Sequence, residues 1–109
     1  MIRRMLLAAG LLAAAGGMAL AGDAPATAAV TIDNFTFSPQ VLTVERGTRV
    51  TWTNHDDIPH TVTSARDPAK QRSPVLDTDD TYSLTFDASG TFDFFCSLHP
   101  HMQSQVVVR

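Results

Sequence analysis

Three residues with metal-binding side chains follow one another at equal intervals near the C-terminus. Cys96, His99 and Met102 supply a thiol, an imidazole and a thioether, and two residues separate each one from the next. Sulfur and imidazole ligands favour a soft transition metal over Mg²⁺ or Ca²⁺, which prefer oxygen. Alone, a single Cys is often a small buried hydrophobe, and a Met often fills a core. Their combination in one short connection predicts a metal site.

A second imidazole is expected from His60. It shares strand parity with the apolar Val62, so its side chain should point into the protein. Two His and one Cys with a weak axial Met are the ligand set of electron-transfer copper sites. Zinc is the alternative, but structural zinc sites usually take four Cys or His ligands. We therefore predict a single copper ion, alternating between Cu(I) and Cu(II), with the ligands His60, Cys96, His99 and Met102.

The elements that must position these ligands are strands. Short β-branched and aromatic runs, separated by turn residues, fill the chain from about residue 30 onwards. No amphipathic helix longer than two turns and no internal repeat is evident. We predict an all-β, Greek-key β-sandwich of about seven to eight strands. The expected strands are 30–33 with a continuation at 35–37, 41–45, 49–54, 60–63, 81–86, 91–96 and 105–109, and a polar connection occupies 64–80.

The last two predicted strands flank the ligand loop. Phe92, Phe94 and Cys96 share one face of a strand, so the Cys sulfur should point to the interior end of the sandwich. The backbone N–H groups of the turn at Ser97 and Leu98 are the expected hydrogen-bond donors to this sulfur.

The first 21 residues have the layout of a secretory signal peptide. Arg3 and Arg4 precede an apolar stretch, and Ala19 and Ala21 form a small-x-small cleavage signal. A retained membrane anchor is the alternative, but a spanning helix needs about 20 predominantly apolar residues and this stretch is shorter. We predict a signal peptide at 1–21, a flexible lead at 22–29, one domain at 30–109, and a periplasmic location. Cleavage would change the formal charge from −3 to −5, since it removes two Arg and no acidic residue.

The sequence resembles the cupredoxins, the small blue copper proteins, over nearly all of residues 30–109. The likeness is carried by VTWTN at 50–54, the Pro59–His60 pair, YSLTF at 82–86 and the loop at 96–102. The spacing within that loop, with Pro100 directly after its His, is most similar to that of the amicyanins. The resemblance implies a type 1 copper site with the same four ligands.

Two residues depart from the family pattern. Thr61 stands directly after the first His ligand, where related proteins often carry an Asn that ties the two ligand loops together. His101 replaces an aromatic residue that lies in the exposed patch around the copper. The partner surface is therefore expected to differ from that of the amicyanins. His55 follows Asn54 in a polar loop and is expected to be exposed to solvent.

The expected function is that of a type 1 copper protein that carries single electrons between larger redox enzymes. The alternative is a periplasmic copper-trafficking or storage protein, although such proteins often use open sites rich in Met or His. An enzyme is not expected, because copper oxidases and nitrite reductases combine a blue site with further copper centres. The formal charge of −3 and the lack of a basic cluster argue against a nucleic-acid partner.

Partner proteins are expected to dock transiently where the edge of the His99 ring reaches the surface. An apolar collar around this ring is predicted from Ile58, Pro59, Leu98, Pro100 and Met102. Weak redox encounters use small interfaces. The chain is expected to be a monomer that contacts a membrane only through an uncleaved signal.

Overall fold

Eight strands make up the regular structure of residues 26–109, the part of the chain that the computed structural model describes. The predicted signal peptide and residues 22–25 of the lead lie outside this part. Within it, no helix has the length and apolarity needed to span a membrane. The strands are β1 (Thr27–Asp33), β2 (Thr36–Ser38), β3 (Val41–Val44), β4 (Thr48–Asn54), β5 (Thr63–Ser64), β6 (Thr81–Phe86), β7 (Gly90–Phe95) and β8 (Gln103–Val108).

The strands form two four-stranded sheets. One has the order β2-β1-β4-β6 and the other the order β3-β8-β7-β5. The pairs β1–β4 and β3–β8 are parallel and the other pairs are antiparallel. The predicted all-β sandwich of seven to eight strands is confirmed.

The core lies between the inner faces of the two sheets. In β4, Val50, Trp52 and Asn54 are buried, whereas the alternate residues are exposed or half-buried. The Trp52 ring packs against Phe86 and Phe94 with ring centroids 6.3 and 5.4 Å apart. Strand alternation therefore places one apolar face of each sheet in the interior, as expected for a sandwich.

The first strand starts earlier than the sequence predicted. It begins at Thr27, whereas the flexible lead was expected to extend to residue 29. Ala28 and Ala29 lie opposite Val50 and Thr51 of the parallel strand β4. The ladder with β4 orders these residues, and local composition carries no sign of such a partner.

Two further predicted strands differ in the structure. Phe35 does not continue a strand but occupies a tight turn with Asn34, and only β2 follows it. Of the expected strand 60–63, only Thr63 lies in a strand, the two-residue β5, and His60 forms an isolated bridge with Leu76. The polar connection thus folds back onto His60 and forms part of the framework of the site.

Candidate metal centre

The loop that follows β7 is closed by its own backbone. The N–H of Cys96 donates to the Met102 carbonyl at 3.1 Å, and the N–H of Met102 donates to the His99 carbonyl at 2.9 Å. The N–H of His99 donates in turn to the Cys96 carbonyl at 3.2 Å. These bonds fold residues 96–102 into a compact loop. The backbone positions that carry the three side chains therefore lie close together.

His60 is supplied by a different part of the chain and is fully buried. Its backbone exchanges two hydrogen bonds with Leu76, at 3.1 and 2.8 Å. The buried amide of Asn54 donates to the carbonyls of Leu76 and Ile58, at 2.9 and 3.0 Å. These hydrogen bonds hold the backbone at Ile58, just before His60, and at Leu76, which pairs with His60. The buried ring of His60 therefore has a defined position.

The structure brings three of the predicted ligands together. The Nδ1 atoms of His60 and His99 lie 3.2 Å apart, and each lies 3.7 Å from the Cys96 sulfur. A triangle with one side of 3.2 Å and two of 3.7 Å has its centre about 2.1 Å from each corner, close to the distances of about 2.0–2.3 Å at which imidazole and thiolate bind a transition metal. The donor triangle therefore fits a single metal ion.

Asp56 determines which nitrogen of His60 faces the centre. Its Oδ2 lies 2.7 Å from Nε2 of His60, so the proton of the neutral ring belongs on Nε2 and the lone pair on Nδ1. Burial tends to raise the pKa of Asp56, but the hydrogen bonds from the Phe35 N–H, from His60 and from the Asn34 N–H outweigh it, and the pKa lies below 3.8. The charged carboxylate thus holds the ring in its metal-binding tautomer.

Met102 is buried, with 3% of its surface exposed. Its backbone bonds to both Cys96 and His99 keep it beside the donor triangle. The four residues of the predicted set therefore lie close together in a mostly buried environment. A thiolate, two imidazoles and a thioether fit one type 1 copper ion.

Thr61 links the two ligand loops. Its hydroxyl accepts the Ser97 N–H at 2.8 Å and lies 2.9 Å from the Ser97 hydroxyl. Its backbone N–H donates to the Cys96 sulfur at 3.3 Å. The expectation that the backbone N–H groups of the turn at Ser97 and Leu98 supply this donor is wrong, because the Thr61 N–H supplies it and the Ser97 N–H donates to the Thr61 hydroxyl instead. A Thr at this position therefore still ties the loops together.

Three exposed apolar side chains come from the segments that carry or contact the predicted ligands. Ile58 stands two residues before His60 and Leu98 directly before His99, and they are 41% and 48% exposed. Phe35 is 40% exposed, and its ring centroid lies 5.1 Å from that of the half-buried His99. Met102 was expected in this collar but is buried, because the loop turns its side chain inward. Phe35 takes a place in the collar that its sequence pattern did not indicate.

The other imidazoles have different surroundings. His55 is exposed, as expected, and its Nδ1 lies 3.7 Å from a carboxylate oxygen of Asp79. His101 is also exposed, with its ring centroid 6.5 Å from that of His99. Among residues 26–109, only His60, Cys96 and His99 form a group of His, Cys or acidic side chains close enough to hold a metal.

Two residues near the site were missed from the sequence, Asp56 and Phe35. The signal for Phe35 was a bulky apolar residue beside Asn34, between two strand-forming runs, where a tight turn usually has Gly. Asp56 gave no local signal beyond its position four residues before His60. Its role depends on Asn34 and Phe35, which are more than twenty residues away in the chain.

Known proteins are similar to this chain in both sequence and architecture. The family model of the cupredoxin-like domain matches residues 4–108. Amicyanin-alpha from Methylorubrum extorquens is 36% identical over 100 residues, which cover 88% of this chain and 84% of that protein. A solved Cu(I) form of an amicyanin variant has a TM-score of 0.71 and 34% identity, over 84% of this chain and 90% of that one. A purple cupredoxin from Nitrosopumilus maritimus has a TM-score of 0.69 and 32% identity, over 75% of this chain and 99% of the other. The chain belongs to the cupredoxin-like family.

Proposed function

We propose that this protein is a periplasmic type 1 copper protein that carries single electrons between larger redox proteins. The observation that carries the proposal is the donor triangle of His60, Cys96 and His99, which already surrounds a point at metal-binding distance from all three atoms. Bound copper would supply a one-electron couple. The protein would hold the same donors in place in both oxidation states, which favours fast electron transfer.

The proposed ligands are His60, Cys96, His99 and Met102. The two imidazoles and the thiolate come from the triangle, and the buried Met102 is the proposed weak axial donor. Two hydrogen bonds join this set to its surroundings: Nε2–H of His60 donates to the Asp56 carboxylate, and the Thr61 N–H donates to the Cys96 sulfur. Such contacts orient ligands and tune the potential of a metal centre.

Electrons would enter and leave through the ring of His99. This ring is the least buried of the three donor side chains. Exposed apolar side chains stand next to the ligands in the chain at Ile58 and Leu98, and the exposed Phe35 ring contacts that of His99. A small apolar patch suits a transient encounter, because it buries enough area for docking but not for a permanent complex. The acidic balance of the chain would favour a basic partner surface in a salt-dependent way.

The periplasmic location rests on the sequence of residues 1–21. A cleaved signal peptide would leave residues 22–109 as the mature protein, which we propose acts as a monomer. Mass spectrometry of the protein purified from a periplasmic fraction would test this. A mature N-terminus at Gly22 is expected, and an intact Met1 on protein recovered from membranes would contradict it.

The copper assignment is tested by the colour of the protein. Wild-type protein loaded with Cu(II) is expected to show an intense blue thiolate-to-copper absorption, and Cys96→Ser is expected to lose it. His55→Ala is the matched control, because it removes an exposed imidazole and should leave the absorption unchanged. A blue band that survives in Cys96→Ser would remove this thiol from the site.

The carrier role is distinguished from copper trafficking by the fate of the metal on reduction. The donors lie in a closed and largely buried arrangement, which favours retention over delivery. Reversible voltammetry with the metal retained is therefore expected. Rapid transfer of copper to a chelator after reduction would favour the trafficking alternative.

A further inference from the structure

The turn between β1 and β2 has an unusual backbone. Asp33 pairs with Thr36, so the loop contains only Asn34 and Phe35, which have φ values of +53° and +57°. Positive φ at both central positions is typical of a type I′ hairpin turn, in which Gly is preferred at the second position. A Phe there carries a steric cost from its Cβ, so some compensating interaction should hold it.

Asp56 supplies that interaction. One carboxylate oxygen accepts the Asn34 N–H at 2.5 Å, and the other accepts the Phe35 N–H at 2.9 Å. The second oxygen also contacts Nε2 of His60 at 2.7 Å. One nearly buried carboxylate therefore joins the strained turn to a proposed metal ligand.

The Phe35 ring lies against both imidazoles. Its centroid is 5.3 Å from that of His60 and 5.1 Å from that of His99, and both pairs are perpendicular. Edge-to-face contacts of this kind are favourable beyond the apolar area they bury. His60 is held by its backbone pairing with Leu76, whereas His99 lies in the ligand loop and is half-buried. The ring therefore has its greater effect on His99.

We propose that Asp56 and the Asn34–Phe35 turn form a clamp in which the Phe35 ring is a positioning residue that holds His99 in the donor triangle. This inference rests on the proposed function and adds a role for residues outside the ligand set. Asp56 holds Phe35 in its strained conformation, and in this conformation the ring lies against both imidazoles. Without the ring, His99 is free to turn away from His60 and Cys96, and the reduced metal is released faster.

The test compares four variants as full-length proteins loaded with copper. Phe35→Ala removes the ring but keeps the Cβ in the left-handed conformation, and Phe35→Gly removes the ring and relieves the strain. Phe35→Tyr preserves the ring. Val41→Ala is the control, because it truncates another exposed apolar side chain on β3 in the other sheet. The rate of Cu(I) transfer to an excess chelator after reduction is measured for each protein.

Phe35→Ala and Phe35→Gly are both expected to release Cu(I) about tenfold faster than the wild type, which corresponds to about 1.4 kcal/mol. Phe35→Tyr and Val41→Ala are expected to match the wild type. If Phe35→Gly releases copper at the wild-type rate, the ring does not position His99, and the inference is overturned. A wild-type rate for Phe35→Ala would also overturn it, because this variant lacks the ring as well.

A metal-free readout separates this inference from the proposed function. In crystals of metal-free Phe35→Gly, the Nδ1 atoms of His60 and His99 are expected to lie farther apart than the 3.2 Å of the wild type. An unchanged separation would count against the clamp even if the protein binds copper. A wild-type protein that stays colourless with Cu(II) would instead overturn the proposed function.

Discussion

The hydroxyl of Thr61 is expected to contribute more to the free energy of unfolding than an ordinary hydroxyl of this protein. It accepts the Ser97 N–H at 2.8 Å and lies 2.9 Å from the Ser97 hydroxyl and 3.0 Å from that of Thr63. Thr61→Val keeps the shape of the side chain but removes all three contacts. Because Thr63 is only 1% exposed, water cannot replace its lost partner without a rearrangement.

The magnitude follows from these contacts. A lost hydrogen bond costs about 1 kcal/mol, and a buried polar group left without a partner costs about 1–3 kcal/mol. Thr61→Val should therefore lower the free energy of unfolding by about 2–3 kcal/mol. For a domain of this size each kcal/mol lowers the Tm by roughly 4–8 °C, so a decrease of about 10–20 °C is expected.

Thermal and urea unfolding of the metal-free protein measure this difference without a contribution from copper binding. Thr51→Val is the matched control, since it removes a single half-buried contact of 2.7 Å between the hydroxyls of Thr51 and Ser83. The control should lose about 1 kcal/mol or less. A loss in Thr61→Val no greater than that in Thr51→Val would refute the role of Thr61 as the tie between the ligand loops. The blue absorption should persist, because the donor to the Cys96 sulfur is the Thr61 backbone.

Three other perturbations have outcomes set by burial and charge. Phe94→Ala should lower the free energy of unfolding of the metal-free protein by about 3–5 kcal/mol in urea denaturation, because this ring is 2% exposed in the core; a loss below about 1 kcal/mol would contradict the packing described above. The pKa of Asp56 lies below 3.8 in the folded protein, so its contribution to stability is complete above that pH and disappears as the pH falls through the lowered value. Metal-free Asp56→Asn should therefore start less stable at neutral pH and lose less stability on acidification, and parallel pH profiles would argue against this. Arg109→Ala should change the free energy of unfolding by less than about 1 kcal/mol at any salt concentration, because its ion pair with Glu45 is exposed.

The sequence was sufficient for the fold class because alternation is a local property. The buried faces of β4 and β7 follow from residues two positions apart, such as Val50 with Trp52 and Phe92 with Phe94. The start of β1 at Thr27 could not be predicted in this way. It depends on a parallel partner more than twenty residues later in the chain, and nothing in the composition of the first residues of the strand indicates that partner.

The candidate site divides in the same way. Cys96, His99 and Met102 are close together in the chain, and their chemical types and spacing are sufficient by themselves to indicate a metal. The role of Thr61 could be predicted only in part. The sequence showed that this residue departs from the family pattern, but it did not show the two hydrogen bonds to Ser97. The clamp of Asp56 and Phe35 was not visible at all.

The chain by itself therefore determined the alternating strands, the set of donor atoms and the preference for copper, because these depend on residue type and near-neighbour spacing. Tertiary structure decided the distances among His60, Cys96 and His99, the tautomer that Asp56 imposes on His60, and the position of Phe35 over both rings. Those features require contacts between segments that are distant in sequence. Such contacts are fixed only when the two sheets pack and bring the loops to one end of the sandwich.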